Sequence, residues 1–99
     1  MQTHSITLGM NIPNAGTVTN QMWIDFLNVT VLASLEYATI TDSIGIYKGT
    51  VEKSKTISVT TEDPAAVDAL RKVGDAYKAA FNQEAIMYTV TAVPILQFT

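Results

Sequence analysis

The sequence has no cysteine and a single histidine, and both absences limit its chemistry. Without cysteine, neither a disulfide framework nor a thiolate metal site can form. One imidazole, that of His4, cannot make a cluster of metal ligands. No apolar run approaches the ~18 residues of a membrane-spanning helix, and no basic and apolar leader opens the chain. We therefore expect a soluble cytoplasmic protein with no metal, no cofactor and no membrane contact.

Charged residues are also scarce, at 15% of the chain, and they give a net charge of −3. This balance disfavours nucleic acid as a partner, because affinity for phosphates comes largely from Lys and Arg. With 47% apolar residues, few charges remain to cover the large surface of so small a domain. We expect that Ser and Thr coat this surface, or that a homo-oligomer buries part of it.

The first half of the chain reads as a strand followed by a helix. Residues 3–12 alternate between apolar and polar side chains, as in a half-buried strand. Apolar residues then recur at helical spacing, which predicts a helix over about 19–35 with Thr19 as the N-cap. Val18 and Trp23 flank this cap at the spacing of a hydrophobic staple.

A hairpin is predicted next. Residues 37–47 alternate, residues 53–61 form a further strand, and Gly49 lies in the short connection between them. Asp42 falls in phase with the apolar face, where an unpaired carboxylate would be costly, so we expect a bulge or bend near it. The apolar face of the first of these strands contains Ile40, Ile44 and Ile46.

The clearest element is a second helix that starts after Asp63, an N-cap residue, with Pro64 in the first helical position. Gly74 lies inside this helix, where it costs about 1 kcal/mol relative to Ala, so we expect a close packing contact there. A last strand follows within 84–93, and an unusually apolar tail, PILQFT, comes after it.

This order predicts one domain over residues 1–99 with the α+β, ferredoxin-like βαββαβ fold: a four-stranded antiparallel sheet with two helices on one face. The isoleucines should face the helices. The uncovered face should then be rich in hydroxyls, with Ser5, Thr7, Thr39, Thr41, Ser43, Tyr47, Ser54, Thr56, Ser58, Met87, Thr89 and Thr91.

Three hypotheses compete for the role of this face. RNA-binding sheets of this topology expose several aromatic and basic residues, which this face lacks. Dimeric αβ barrels bury two such faces against each other around a cavity. The simplest hypothesis is that Thr is a good strand former on a hydrated surface.

The residues around the hairpin tip have two interpretations. Tyr47, Lys48 and Gly49, with Lys53 and Lys55, are suited to recognising an anion, because they combine charge, an aromatic ring and an accessible backbone. The same lysines also fit a solvated hairpin that resists aggregation.

The carboxylates and the histidine are ambiguous as well. Asp42 is a candidate general base if it is buried, or else an acceptor of backbone hydrogen bonds. Glu84 fits a loop carboxylate at the end of the second helix, and His4 fits an exposed residue without a role.

Taken together, these residues resemble a family of small bacterial and phage proteins known only as a domain of unknown function, number thirty-five seventy-four. The resemblance covers about residues 8–88, and it implies a ferredoxin-like fold without an assigned activity. It also implies that Asp42, Gly45, Tyr47, Gln83 and Glu84 belong to one polar pattern. The matching positions are Gly9, Pro13, Val18, Thr19, Trp23, Phe26, Thr39, Asp42, Gly45, Tyr47, Glu52, Tyr77, Phe81, Gln83 and Glu84.

We therefore expect a non-enzymatic, homo-oligomeric binding protein of phage type that sequesters a small anionic or nucleotide-like ligand or a host protein. The alternative is a small dimeric αβ-barrel enzyme, with Asp42 or Glu84 as the base and Tyr47 positioning a small polar substrate. The candidate ligand-binding residues are Thr41, Asp42, Tyr47, Lys48, Gln83 and Glu84.

Overall fold

The computed structural model describes residues 1–98, with the backbone but not the side chain of Tyr47. Four long strands form one antiparallel sheet in the spatial order β2-β3-β1-β4. The strands are β1 (Gln2–Gly9), β2 (Thr39–Tyr47), β3 (Thr50–Thr61) and β4 (Met87–Ala92). The helices are α1, which begins as Asn20–Phe26, and α2 (Pro64–Phe81).

The predicted α+β class, with a four-stranded antiparallel sheet and two helices, is confirmed. The predicted order of six elements is not matched in full. A two-stranded ladder between Asn11–Ile12 and Gly16–Thr17 lies between β1 and α1. It forms because Gly16, with φ of 84°, lets the chain reverse after the Pro-Asn-Ala turn.

Helix α1 begins where the sequence predicts. The Thr19 hydroxyl accepts a hydrogen bond from the Met22 N–H at 3.2 Å, which satisfies one of the free donors at the helix start. After Phe26 the helix widens into a π-helical turn over Leu27–Val31 and ends as Leu32–Ser34. Three β-branched residues, which lose side-chain freedom in helices, occupy most of this turn.

The β2–β3 hairpin closes with a tight two-residue turn. Lys48 and Gly49 have positive φ angles of 48° and 77°, the pattern of a type I′ turn that matches the twist of paired strands. The expected bulge near Asp42 is wrong, because pairing between β2 and β3 is continuous from Thr39 to Tyr47. Asp42 needs no bulge, since it is exposed and forms an ion pair with Lys55 on the neighbouring strand.

Helix α2 is capped at both ends. The Asp63 carboxylate accepts a hydrogen bond from the Ala65 N–H at 2.9 Å, and Pro64 takes the first turn, as predicted. Asn82 ends the helix in the left-handed conformation. The expected close contact at Gly74 is confirmed, because a Cβ there would lie 2.3 Å from Cδ1 of Ile86.

The core lies on one side of the sheet, where buried side chains from both helices and from β1 and β3 form one cluster. Fully buried members include Ile6, Leu8, Ile57, Leu70, Val73 and Tyr77. The isoleucines of β2 share this side, because Ile40 is opposite Ile57. However, Ile44 and Ile46 are 67% and 77% exposed, so the expectation that the helices shelter them is wrong.

These isoleucines are uncovered because the hairpin continues past the rest of the sheet. The last residue of β1, Gly9, is opposite Ser54, and the Met10 N–H bonds to the Lys53 carbonyl. Beyond this point the main sheet, as far as the structure describes it, consists of β2 and β3 alone, and we call residues 44–53 the hairpin arm. On the helix side of the arm, Ile44, Ile46 and Val51 are all more than half exposed.

The other side of the sheet is rich in hydroxyls, as expected. Its hydroxyls bond to one another across β1 and β3 in three successive pairs, Thr3–Thr60, Ser5–Ser58 and Thr7–Thr56, at 2.7–3.2 Å. A fourth pair, Ser43–Ser54, joins β2 to β3 at 2.7 Å. Such cross-strand pairs stabilise the sheet and satisfy the hydroxyls without solvent.

None of the helices within residues 1–98 combines the length and the apolar character that a membrane crossing requires.

Candidate functional site

A cleft opens at the end of β1, on the hydroxyl-rich side of the sheet, and we call it the Glu52 cleft. It has a volume of about 270 Å³. The ends of β1 and β4, the start of the hairpin arm and the loop after α2 surround it. Its lining residues are Thr7, Gly9, Gly45, Ile46, Glu52, Ser54, Gln83, Ala85, Ile86 and Met87. Of these, Glu52 alone has a charged side chain.

The position of Glu52 depends on a glycine. A Cβ at residue 9 would lie 2.8 Å from Glu52 Oε1 and 3.3 Å from Oε2, so the carboxylate occupies the space that a side chain would take. Gly45 pairs with Glu52 on the neighbouring strand β2. Because it has no side chain, it leaves open space beside Glu52 on that strand. Two glycines thus make room for one carboxylate in an otherwise neutral cleft.

Behind this cleft, Tyr77 of α2 fixes the end of β1. Its hydroxyl donates a hydrogen bond to the Gly9 carbonyl at 2.5 Å and lies 3.7 Å from Sδ of Met10. Burial, with a smaller contribution from the Glu52 charge, raises the pKa of Tyr77 to about 12. The phenol therefore stays protonated at neutral pH and acts as a donor.

Gln83 connects the loop after α2 to the segment that follows β1. Its Nε2 donates hydrogen bonds to the Asn11 carbonyl at 2.8 Å and the Phe81 carbonyl at 3.1 Å. The left-handed Asn82 turns the chain so that Gln83 can make this contact. Among the candidate ligand-binding residues whose side chains the structure describes, Gln83 alone lines the Glu52 cleft.

The structure places the other candidate residues elsewhere. Asp42 lies on the helix side of the sheet in its ion pair with Lys55, whose Nζ is 5.5 Å from the centre of the Trp23 ring. Thr41 is exposed on the hydroxyl-rich side. Lys48 is in the hairpin turn and Glu84 is exposed after α2.

The Tyr47 side chain lies outside the described part of the chain. The polar pattern that the resemblance implies is therefore split. Gly45 and Gln83 line the Glu52 cleft, while Asp42 faces the opposite way. Gly9, Glu52 and Tyr77 were not selected as candidates, although they are among the positions that carry the resemblance.

A second cleft lies under the hairpin arm on the helix side, and we call it the arm cleft. Its volume is about 700 Å³. Met10, Val18, Ile44 and Val51 supply apolar walls, while Asp42, Lys53 and Lys55 supply charge. A third cleft of about 210 Å³ lies where the end of α1 meets the start of α2, beside Tyr37 and Asp63.

His4 makes side-chain contacts, whereas the sequence suggested an exposed residue without a role. It is half-buried, and its Nδ1 forms a hydrogen bond with the Tyr88 hydroxyl. The Arg71 guanidinium is 4.4 Å from the centre of the Tyr88 ring, a cation–π contact. Among the described residues, no group of three or more His, Cys, Asp or Glu side chains is placed to hold a metal ion.

The fold is similar to that of a phage enzyme of known structure. A phage SAM lyase in complex with S-methyl-5′-thioadenosine superposes with a TM-score of 0.64 and 17% identity, over 91% of this chain and 79% of that chain. A structure of a phage SAM lyase in its apo state gives a TM-score of 0.64 and 19% identity, over 91% of this chain and 78% of that chain.

A de novo designed protein with a ferredoxin fold gives a TM-score of 0.45 and 15% identity, over 99% and 89% of the two chains. Among curated proteins, none matches the chain by sequence.

The family model described as "Protein of unknown function (DUF3574)" matches residues 3–96, nearly the whole chain. At 17% and 19% identity, the phage SAM lyase structures establish a shared fold alone. The family match covers both walls of the Glu52 cleft as well as the core. The chain is therefore a member of the DUF3574 family.

Proposed function

We propose that the protein binds a small cationic nucleoside in the Glu52 cleft, and that this ligand is S-adenosylmethionine. The observation that carries the proposal is the Glu52 carboxylate, held over Gly9 as the one charge among the residues that line the cleft. A carboxylate in a half-enclosed, otherwise neutral site attracts a positive group more strongly than one in bulk water.

The ligand chemistry fits this charge. S-adenosylmethionine carries a positive sulfonium, and its ribose and adenine can use the neutral Ser54, Gln83 and backbone groups of the cleft. The sequence suggested an anionic or nucleotide-like ligand. The cleft favours the nucleotide-like part, and its charge favours a cation, since Lys53 and Lys55 line the other cleft.

The phage SAM lyase supports the proposal, because its fold extends over 91% of this chain. The size of the cleft, about 270 Å³, is slightly below the usual range for ligand sites, which is about 300–1,000 Å³. A single chain would enclose the ligand only in part, as expected for a homo-oligomer.

We also interpret the short ladder after β1 as an insertion into a ferredoxin-like βαββαβ core.

A second candidate function is cleavage of the same ligand, favoured by the carboxylate beside the proposed sulfonium. Glu52 would remove a proton from the carbon β to sulfur, a new C=C bond would form, and the C–S bond would break with its electron pair going to sulfur. The products are neutral S-methyl-5′-thioadenosine and an unsaturated amino acid. This route needs one base and no metal or thiol.

The binding test compares two ligands that differ in charge. Isothermal titration should show that Glu52→Gln weakens binding of S-adenosylmethionine about 5- to 30-fold, which corresponds to roughly 1–2 kcal/mol for a half-exposed charge pair. Binding of neutral S-methyl-5′-thioadenosine should change less than about twofold. Chromatography of the same mixtures would detect S-methyl-5′-thioadenosine formed from S-adenosylmethionine.

The matched control is Glu36→Gln, which removes an equal charge from an exposed residue at the cleft beside α2. It should leave both affinities unchanged. Binding without product would identify a binding protein, whereas product that disappears in Glu52→Gln would identify a lyase. If wild-type protein binds neither ligand, or if Glu36→Gln weakens binding as much as Glu52→Gln does, the proposal is wrong.

A further inference from the structure

Two groups of exposed apolar side chains lie at opposite ends of the molecule. On the helix side of the hairpin arm, Ile44 and Val51 are 67% and 60% exposed. At the other end of the sheet, in the segment 94–98 after β4, Ile95 and Phe98 are 75% and 93% exposed. Clustered apolar side chains of this kind mark interaction surfaces.

The segment 94–98 cannot cover the arm of its own chain. The Val93 N–H bonds to the Met1 carbonyl, so the segment starts beside the first residue of β1, whereas the arm starts beyond its last residue, Gly9. The eight residues of β1 span about 27 Å. Five extended residues reach at most about 18 Å. Contact between these two surfaces must therefore join two chains.

The arm cleft suits this segment in both size and charge. Its volume of about 700 Å³ is within the range that accommodates several side chains, and Met10, Val18 and Ile44 supply apolar walls. Asp42 and Lys55 neutralise each other by their ion pair, which leaves Lys53 as the one other charged lining residue among those described. The segment, with the sequence PILQF, has no charged side chain.

We infer that the arm cleft of one chain binds segment 94–98 of a second copy. Each copy then gives a segment at one end and receives another at the opposite end. Such a contact is heterologous, and repeating it closes a ring or extends a filament. This inference goes beyond the proposed function, because the contact needs no ligand and uses the side of the sheet opposite the Glu52 cleft.

Two charged substitutions test this contact. Ile44→Asp alters the receiving cleft and Phe98→Asp alters the donated segment, and both side chains are exposed, so each variant should fold. In sedimentation velocity at micromolar concentrations, wild-type protein should be larger than one 10.7 kDa chain, and each variant alone should be a monomer. The control Val29→Asp, at a 75% exposed position on α1, should sediment like wild type.

The decisive measurement is an equimolar mixture of the two variants. Ile44→Asp retains an intact segment and Phe98→Asp retains an intact cleft, so one contact can form between them and the mixture should contain a dimer. A contact between two like surfaces would not produce this complementation. Monomeric wild-type protein, either variant alone assembling like wild type, or a mixture that stays monomeric would each overturn the inference, whatever the ligand titrations show.

Discussion

The buried tyrosine behind the cleft gives a stability prediction with a pH signature. In Tyr77→Phe the hydroxyl is lost and the Gly9 carbonyl loses the donor at 2.5 Å. Loss of a partner from a buried polar group costs about 1–3 kcal/mol. We therefore expect the free energy of unfolding to fall by that amount near neutral pH.

At alkaline pH the difference between the two proteins should shrink. In the unfolded chain this phenol loses its proton at a pKa of 10.0, while in the native protein its pKa is raised to about 12 by burial and by Glu52. Below pH 10 both states hold the proton, and the contribution to stability is constant. Above pH 10 the unfolded state releases the proton first. The free energy of unfolding of the wild-type protein therefore falls by about 1.4 kcal/mol per pH unit, and by at most about 3 kcal/mol in total.

The phenylalanine variant lacks this titration. Relative to pH 8, urea unfolding of both proteins should therefore show a difference that is smaller by about 0.4 kcal/mol at pH 10 and by about 1.4 kcal/mol at pH 11. Comparing the two proteins cancels the titration of every other group. The control Phe81→Leu changes a ring whose centre is 4.8 Å from that of Tyr77, and its effect should not depend on pH. A Tyr77→Phe difference that is the same at all three pH values would refute the reasoning.

Three further substitutions probe individual contacts. Gly74→Ala should lower the free energy of unfolding by about 1–2 kcal/mol despite the better helix propensity of Ala, because its Cβ would lie 2.3 Å from Cδ1 of Ile86. Urea unfolding measures this loss. Adding Ile86→Val, which removes that Cδ1 atom, should recover most of it. Thr19→Ala removes the α1 cap and should cost about 1 kcal/mol by thermal unfolding, and no loss would mean that the cap is dispensable. Asp42→Asn breaks an exposed pair with Lys55 and should cost at most about 1 kcal/mol, with a smaller effect in high salt.

The features that the sequence predicted well depend on neighbours along the chain. A cap forms between Asp63 and Ala65, and the hairpin turn needs only that Lys48 and Gly49 adopt positive φ angles. Such short-range interactions are readable from a few residues. The alternation also gave the correct side of the sheet for the side chains of residues 39–46.

The Glu52 cleft was not predicted, because it depends on strand register. Gly9 and Glu52 are 43 positions apart in sequence and meet only because Gly9 pairs with Ser54. Tyr77 reaches the Gly9 carbonyl from a third element. Each residue type is unremarkable alone, and no periodic pattern links the three.

The sequence by itself determined the four long strands, the two helices with their N-caps, and the alternation that sets the two sides of the sheet, because these follow from local backbone preferences. The tertiary structure alone decided which apolar residues are covered. A strand advances about 3.3 Å per residue and a helix 1.5 Å, so the 12 residues of β3 extend about 40 Å while the 18 residues of α2 extend about 27 Å. The helices are too short for the sheet that they cover, and this difference in length leaves the hairpin arm exposed.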